Sequence, residues 1–300
     1  MVRLSLIIPT FNRSALLVQT LQSVAAQSAS VEDWECVVVN NNSTDDTVER
    51  FNEFCEKYPH LNIRMVLEQN QGLSYARNRG IRESVGEYMA FIDDDEHIST
   101  EFIASYISFF DSMPEAVAAG GPIVAEYPEG CPRWMSCFTE RPIANTLNLG
   151  DKVREFPVGK IPGGGNMALR RSAVRRYGVF DISLGRKGDK LIGGEESDLF
   201  ERLQIAGARY YYVPNAVMNH IIVPEKLTAD YFERLSYNVG VSQLLRAKFF
   251  HRVGKARLAE VGKWLVTLVL AAWYLITLQW GKAKYIVKMR YHISRGLWGK

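Results

Sequence analysis

The chain has 300 residues, 47% hydrophobic and 23% charged, a balance that supports one large domain or two small ones with a sizeable core and excludes disorder as the default. The formal net charge is only +3, but residues 246 to 300 hold 12 Lys or Arg against one acid, Glu260, leaving 24 basic and 32 acidic residues in 1 to 245. The front is therefore net −8 and the tail net +11, so the tail alone is suited to an anionic partner, either nucleic acid or membrane. Cys36, Cys55, Cys131 and Cys137 form no C-x-x-C pair and lack the His spacing of a zinc site, which fits reduced thiols in a cytosolic domain. The first apolar run is broken at Pro9 and Asn12, with no basic lead and no small-residue cleavage site, so the part of the chain before the basic tail is expected in the cytosol.

In chain order, apolar runs at 4 to 8, 35 to 39, 62 to 67 and 88 to 92 read as strands. They alternate with helix-like segments at about 13 to 27, 44 to 57, 73 to 84 and 99 to 112, the rhythm of a βαβ sheet. Ser43-Thr44-Asp45 and Ser99-Thr100-Glu101 supply helix-start signals. The strand ends then carry three polar loops: Pro9-Thr10-Phe11-Asn12-Arg13, Asn40 to Asp46, and Asp93-Asp94-Asp95. Open parallel sheets bind ligands at that edge. Residues 122 to 162 are rich in proline and read as an irregular lid or insertion. Gly163-Gly164-Gly165-Asn166 opens a short strand to Leu169, and Gly193-Gly194-Glu195-Glu196-Ser197-Asp198 precedes a helix to about Ala206. No G-x-G-x-x-G follows the first strand, which argues against a dehydrogenase.

Asp93, Asp94, Asp95 and Glu96 follow the run Tyr88 to Ile92 without a gap. Four adjacent carboxylates repel one another and ask for a compensating divalent cation with oxygen ligands, Mg2+ or Mn2+; the plain alternative is a solvated acidic turn. Glu195 and Glu196 have the same double reading. Their crowding raises one pKa and suits a general base, while two glutamates at a helix start are also ordinary dipole partners.

Taken together, these stations resemble glycosyltransferase family 2 over about residues 3 to 245. Ser5 to Arg13 looks like that family's first strand and nucleotide loop, and Val37 to Asp45 like its second loop. Asn70 to Gly80, containing Arg77 and Asn78, is similar to its third motif, Phe91 to Glu96 to its metal motif, and Gly194 to Leu199 to its later acidic motif. The resemblance implies a GT-A fold: an α/β, Rossmann-like, mostly parallel sheet flanked by helices, with a nucleotide-binding half at 1 to 121 and an acceptor half at 122 to 245. It implies inverting transfer from a nucleotide-diphosphate sugar, with a UDP-sugar the leading donor, to a saccharide or lipid-linked acceptor. Asp95 is the expected metal ligand, with Asp93 toward ribose or metal. Pro9, Thr10, Asn12, Arg13, Asn41 and Asp94 are expected on the donor side, where Arg77 would pair with phosphate. Glu196 stands at the base position, with Glu195 before it. His220, in a segment resembling a late family station, is expected near diphosphate or metal, although a lone His at a strand end is commonly structural. The chain departs from the pattern at Asn40, where aspartate is common, at Asn42, where glycine is common, and at Glu196, which replaces aspartate. A noncatalytic binding relative on the same fold is the alternative.

The tail contains 17 uncharged residues from Trp264 to Trp280, at the lower limit for a spanning helix. Trp stands at both ends and Lys or Arg beyond both: Arg252, Lys255, Arg257 and Lys263 before, Lys282, Lys284, Lys288 and Arg290 after. Basic flanks on both sides favour a helix lying in, or dipping into, the cytoplasmic leaflet of a membrane over a clean span, with residues 246 to 300 as the attachment segment. A buried core helix is the alternative. Nucleic acid is not expected, because these charges border an apolar run and do not interleave with stacking aromatics.

Overall fold

A computed structural model describes residues 1 to 187 and 193 to 300. The front half alternates as expected: β1 (Leu4–Thr10), α1 (Ser14–Ala25), β2 (Trp34–Asn40), α2 (Thr47–Lys57), β3 (Ile63–Leu67), α3 (Leu73–Glu83) and β4 (Tyr88–Phe91). There follow β5 (Glu96–Ile98), α4 (Phe102–Ser112), β6 (Ala118–Gly120), β7 (Ile123–Glu126), α5 (Cys137–Ala144), β8 (Arg154–Glu155), β9 (Met167–Arg170) and α6 (Arg171–Tyr177). The chain closes with α7 (Glu195–Ile205), β10 (Tyr210–Tyr212), β11 (Met218–Ile221), α8 (Ala229–Phe249), α9 (Val253–Ile276) and α10 (Trp280–Trp298). The main sheet runs β3-β2-β1-β4-β9-β6-β10-β8, and a second sheet runs β5-β11-β7. β1 pairs in parallel with β2 and β4, β2 with β3, and β6 with β10, while β9 enters antiparallel between β4 and β6.

Two units are distinguishable: residues 1–124, 147–188 and 195–221, and residues 125–146, 189–194 and 222–300. In the first, both faces of the sheet are covered, which is why its central strands are continuous apolar runs. Leu4, Leu6 and Ile8 of β1 pack with Leu17, Leu21 and Val24 of α1 and with Phe102, Tyr106 and Phe110 of α4. Ile7 points the other way, toward Ala76 and Ile81 of α3 and Leu199, Phe200 and Leu203 of α7. That alternation follows from the period-2 geometry of a strand.

The second unit is helical, and its limits differ from the expected border at residue 245, which α8 crosses without a break. Residues 122 to 162 are also less irregular than their proline content suggests. α5 forms there because Ser136 and Thr139 close a capping box at its start, even though Pro142 lies inside it. α8 and α10 cross closely at Gly240 and Gly296. A Cβ at Gly240 would lie 2.0 Å from the carbonyl oxygen of Ile293, and one at Gly296 would lie 2.1 Å from that of Tyr237. Around them Met135, Ile143, Phe232, Leu235, Ile286, Met289 and Ile293 form the core, with Trp134 stacked on Tyr285.

The apolar tail is not one isolated helix. The chain turns at Leu278, whose φ is 57°, and α10 returns along α9 as a hairpin. α9 is the one helix among the described residues that is long and apolar enough to cross a membrane. Its inward side carries a polar cluster beside the apolar contacts of Ala271, Leu270 and Tyr274. Arg290 Nη1 donates to both carboxylate oxygens of buried Glu260 at 3.1 Å, Ser294 Oγ donates to Glu260 at 3.0 Å, and Trp264 Nε1 donates to Ser294 at 2.8 Å. Arg290 is therefore not a lipid-facing flank as its sequence position suggests; the hairpin folds it back onto Glu260. The outward side of α9 exposes Leu258, Val261, Leu265, Val266, Val269, Trp273 and Ile276.

Candidate active site

The parallel pairing of β1 with β4 sets Ile7 beside Phe91, so the loops leaving both strands meet. Thr10 Oγ1 donates to Asp94 Oδ2 at 2.8 Å, and Arg13 Nη1 donates to Asp94 Oδ1 at 3.1 Å and to Asp95 Oδ2 at 3.0 Å. Thr20 Oγ1 donates to the Asp94 carbonyl at 2.9 Å and accepts the Glu96 N–H at 3.2 Å. Burial raises the Asp94 carboxyl to about 6 against the opposing pull of Arg13. β5 and β11 pair antiparallel with Glu96 opposite His220, which delivers the imidazole to the cluster: His220 Nε2 lies 3.7 Å from Asp95 Oδ1.

Glu96 is buried, and its Oε2 accepts the Asp93 N–H at 2.7 Å. Its carboxylate occupies the space beside Gly165, where a Cβ would stand 1.7 Å from Oε1. Burial, and then Asp93 and Asp95, hold Glu96 well above the usual carboxylate range. One oxygen from each of Asp93, Asp95 and Glu96 lies within 4.8 Å of the others. This hard-oxygen set with surplus negative charge fits Mg2+ or Mn2+, and the imidazole of His220 is a donor that Mn2+ also accepts.

Asp93 connects this cluster to a second one. Arg77 of α3 is only 1% exposed and donates through Nη2 to Asp93 Oδ1 at 2.9 Å and to the Gly164 carbonyl at 3.1 Å. Its Nη1 donates to Glu195 Oε1 at 2.7 Å. The guanidinium lies over the Phe180 ring, 5.7 Å from its centre. Asn78 clips the Phe180 backbone by donating to its carbonyl at 2.8 Å and accepting its N–H at 3.0 Å. Glu195 and Glu196 begin α7, where the helix N-terminus favours negative charge. Glu196 is nevertheless pushed up to about 7, by burial first and then by Glu195, with Arg77 opposing both.

The nucleotide-side loops are braced against each other. Asn12, at φ 51°, accepts the Thr44 N–H at 2.7 Å, and its own N–H donates to Ser43 Oγ at 3.0 Å. Asn41 donates to the carbonyls of Glu68 at 3.0 Å and Asn70 at 2.8 Å and accepts the Gly72 N–H at 2.7 Å. Pro9 is buried within β1. Asn42 adopts φ 65°, a left-handed conformation that asparagine tolerates better than most residues.

The family model "Glycosyl transferase family 2" matches residues 5–178. The chain belongs to glycosyl transferase family 2. It is 28% identical over 236 residues to the glucosyl-dolichyl phosphate glucuronosyltransferase of Haloferax volcanii, covering 75% of this chain and 70% of that one. It is 30% identical over 215 residues to the succinoglycan biosynthesis protein ExoM of Rhizobium meliloti, covering 70% of this chain and 63% of that one. Among solved structures, the mannosyltransferase PcManGT from Pyrobaculum calidifontis, in complex with GDP-Man and Mn2+, aligns over 99% of this chain and 88% of its own with a TM-score of 0.62 at 18% identity. The GT-A fold is thereby shown.

In this family member, Thr10, Arg13, Asp93, Asp94, Asp95 and His220 converge at one point, and Arg77 joins Glu195 to it. Glu195, Glu196 and His220 lie beyond the matched residues. Asn12 and Asn41 direct their side chains to neighbouring loops, and Arg77 directs its guanidinium to Glu195, Asp93 and the Gly164 carbonyl. Sequence reasoning placed Glu96 in the acidic run but gave it no role, and missed Thr20 and the need for Gly165. A glutamate directly after the aspartates was the available signal for the first; a threonine within a helix offers none.

Proposed function

We propose that this family 2 glycosyltransferase is an inverting, metal-dependent enzyme that moves a sugar from a nucleotide-diphosphate sugar, with a UDP-sugar as the first donor to test, to a hydroxyl of a saccharide or lipid-linked saccharide. The observation that carries the reading is the surplus of carboxylates at the sheet edge, with Asp93, Asp95 and Glu96 disposed to hold a cation and Arg77 linking Asp93 to Glu195, the residue before Glu196. When bound, Mn2+ or Mg2+ supplies Lewis-acid stabilisation of the departing diphosphate. Glu196 takes the acceptor hydroxyl proton, the oxygen attacks the anomeric carbon, and the bond to the diphosphate breaks with its electron pair leaving on the nucleotide. Thr10 and Arg13 keep Asp94 and Asp95 in place at the donor edge.

The names of the relatives support the acceptor class: one acts on a glucosyl-dolichyl phosphate and another belongs to succinoglycan biosynthesis. Cell-surface polysaccharide or glycolipid assembly on the cytoplasmic face of a membrane is the corresponding setting. The outward apolar side of α9, with Lys282 and Lys284 just beyond the turn, is the surface offered to anionic lipid.

Isothermal titration of the protein with a panel of nucleotide-diphosphate sugars, with and without Mn2+, tests the donor reading. One donor is expected to bind only with metal and to lose binding in Asp95→Ala. Absence of binding across the panel by folded protein would sink it. Slow hydrolysis of the bound donor separates an enzyme from a noncatalytic relative.

A further inference from the structure

We infer that Arg77 is a positioning residue that sets the geometry and charge of the acceptor-side base, and is not a ligand of the donor phosphates. The inference rests on the enzymatic reading above. A phosphate-binding arginine needs its fork open to the ligand. Arg77 is instead 1% exposed, and the two terminal nitrogens of its fork are occupied by Glu195, Asp93 and the Gly164 carbonyl. Phe180 covers its face, and Asn78 fixes Phe180 by two backbone hydrogen bonds. Arg77 and Asn78 therefore act as one device, in which the asparagine builds the lid and the arginine beneath it holds three segments together. Gly164 belongs to the same device, since a Cβ there would stand 3.2 Å from Nη2.

The link has a direction. Glu195 precedes Glu196 on α7, so a guanidinium gripping Glu195 fixes the first turn of that helix and thereby the base. Among the described residues, the charged groups that act most on Glu196 are Glu195 on its own helix and Arg77 from α3; Glu195 holds the proton on and Arg77 draws it off. Removing the guanidinium leaves two adjacent glutamates uncompensated, so the base keeps its proton to higher pH. Removing the Glu195 charge acts oppositely on the proton but weakens the same grip, because a neutral oxygen there accepts from Nη1 without the ionic attraction. Phosphate contact and positioning thus predict different kinetics. Loss of a phosphate ligand weakens donor binding, whereas loss of a positioning residue lowers turnover after the donor is bound.

The experiment compares wild type, Arg77→Gln, Glu195→Gln and the double variant, each with a thermal melt, in a transfer or donor-hydrolysis assay across pH. Positioning predicts that both single variants lose kcat with donor KM changed less than about threefold, and that the double variant loses little more than either. It also predicts that the acid limb of kcat moves upward in Arg77→Gln and downward in Glu195→Gln. A donor KM raised tenfold or more in Arg77→Gln, with Glu195→Gln indistinguishable from wild type, would overturn it in favour of phosphate contact. Should Arg77→Gln fail to fold, Glu195→Gln alone decides: the isosteric change must lower kcat and shift the limb, and a wild-type profile refutes the proposal. Inactive wild-type protein would instead count against the enzymatic reading.

Discussion

Two regions of this chain bury an arginine against a carboxylate, and they differ in what is left over. In the α9–α10 hairpin, Glu260 receives two hydrogen bonds from Arg290 and one from Ser294, with Lys263 3.6 Å away. The one buried carboxylate there is fully matched by cations. At the sheet edge, Arg13 and Arg77 face Asp93, Asp94, Asp95, Glu96, Glu195 and Glu196, so negative charge is in excess. Burial first, and then the neighbouring carboxylates, raise Asp94 to about 6 and Glu196 to about 7 against the pull of Arg13 and Arg77. A compensated buried ion pair fixes how two helices meet, while an uncompensated one holds capacity for a cation and a proton.

The sharpest way to break that contrast is to remove the surplus at its catalytic end. Glu196→Gln keeps shape and is expected to cost about 10²- to 10⁴-fold in kcat with donor binding intact, the usual range for a general base. The pH profile gives the sign. A base works deprotonated, so wild-type activity falls below about pH 7, the value to which Glu196 is raised, and is flat above it. In the variant that limb disappears.

On the compensated side the same kind of change affects stability. Glu260→Ala strands Arg290 in a buried position and is expected to destabilise by about 3–5 kcal/mol in denaturant melts. Replacing both partners, Glu260→Met with Arg290→Met, is expected to range from neutral to about 1–4 kcal/mol stabilising, because the desolvation cost of both charges goes with them. If the double replacement were as damaging as the single one, the pair would have a role beyond joining α9 to α10. At the site, Gly165→Ala drives a methyl into the place of the Glu96 carboxylate. An affinity loss for Mn2+ of at least about 10-fold, measured by titration, is expected from displacing one of the three carboxylates disposed to hold the cation.

These expectations were unequally legible in the sequence. The four strands and four helices of the front were readable because buried parallel strands are unbroken apolar runs and their helices have a marked apolar side. Asp93 to Asp95 were readable for a related reason, since a charge run directly after such a strand must lie at the sheet edge. What could not be read was long-range. Nothing local announces that Arg77 reaches Glu195, 118 positions away, or that β11 carries His220 to Asp95. The tail misled in an instructive way: its apolar run was read as ending at Trp280, but Leu278 takes a left-handed turn and Trp280 begins the next helix. Basic flanks that looked contradictory for a single helix are reconciled once the chain doubles back and Arg290 meets Glu260.

The smallest expected effect on the fold comes from the outward side of α9, and it sharpens the comparison most. Leu265 and Val269 are 66% and 70% exposed, one turn apart, so changing both to Glu removes no packing and is expected to alter stability by less than about 0.5 kcal/mol per site. Burying such side chains in lipid is worth about 1.5–3 kcal/mol each, and nearby lysines add about 1 kcal/mol apiece at an anionic surface. Wild-type protein should therefore co-sediment with vesicles containing anionic lipid and bind more weakly to zwitterionic ones. The double-Glu variant should stay in the supernatant with an unchanged melt and unchanged transfer to a soluble acceptor. If wild type ignores both kinds of vesicle but elutes as a dimer that the variant breaks, the face is covered by a second copy of the chain. The hairpin would then be a compensated element whose outer side joins protein to protein.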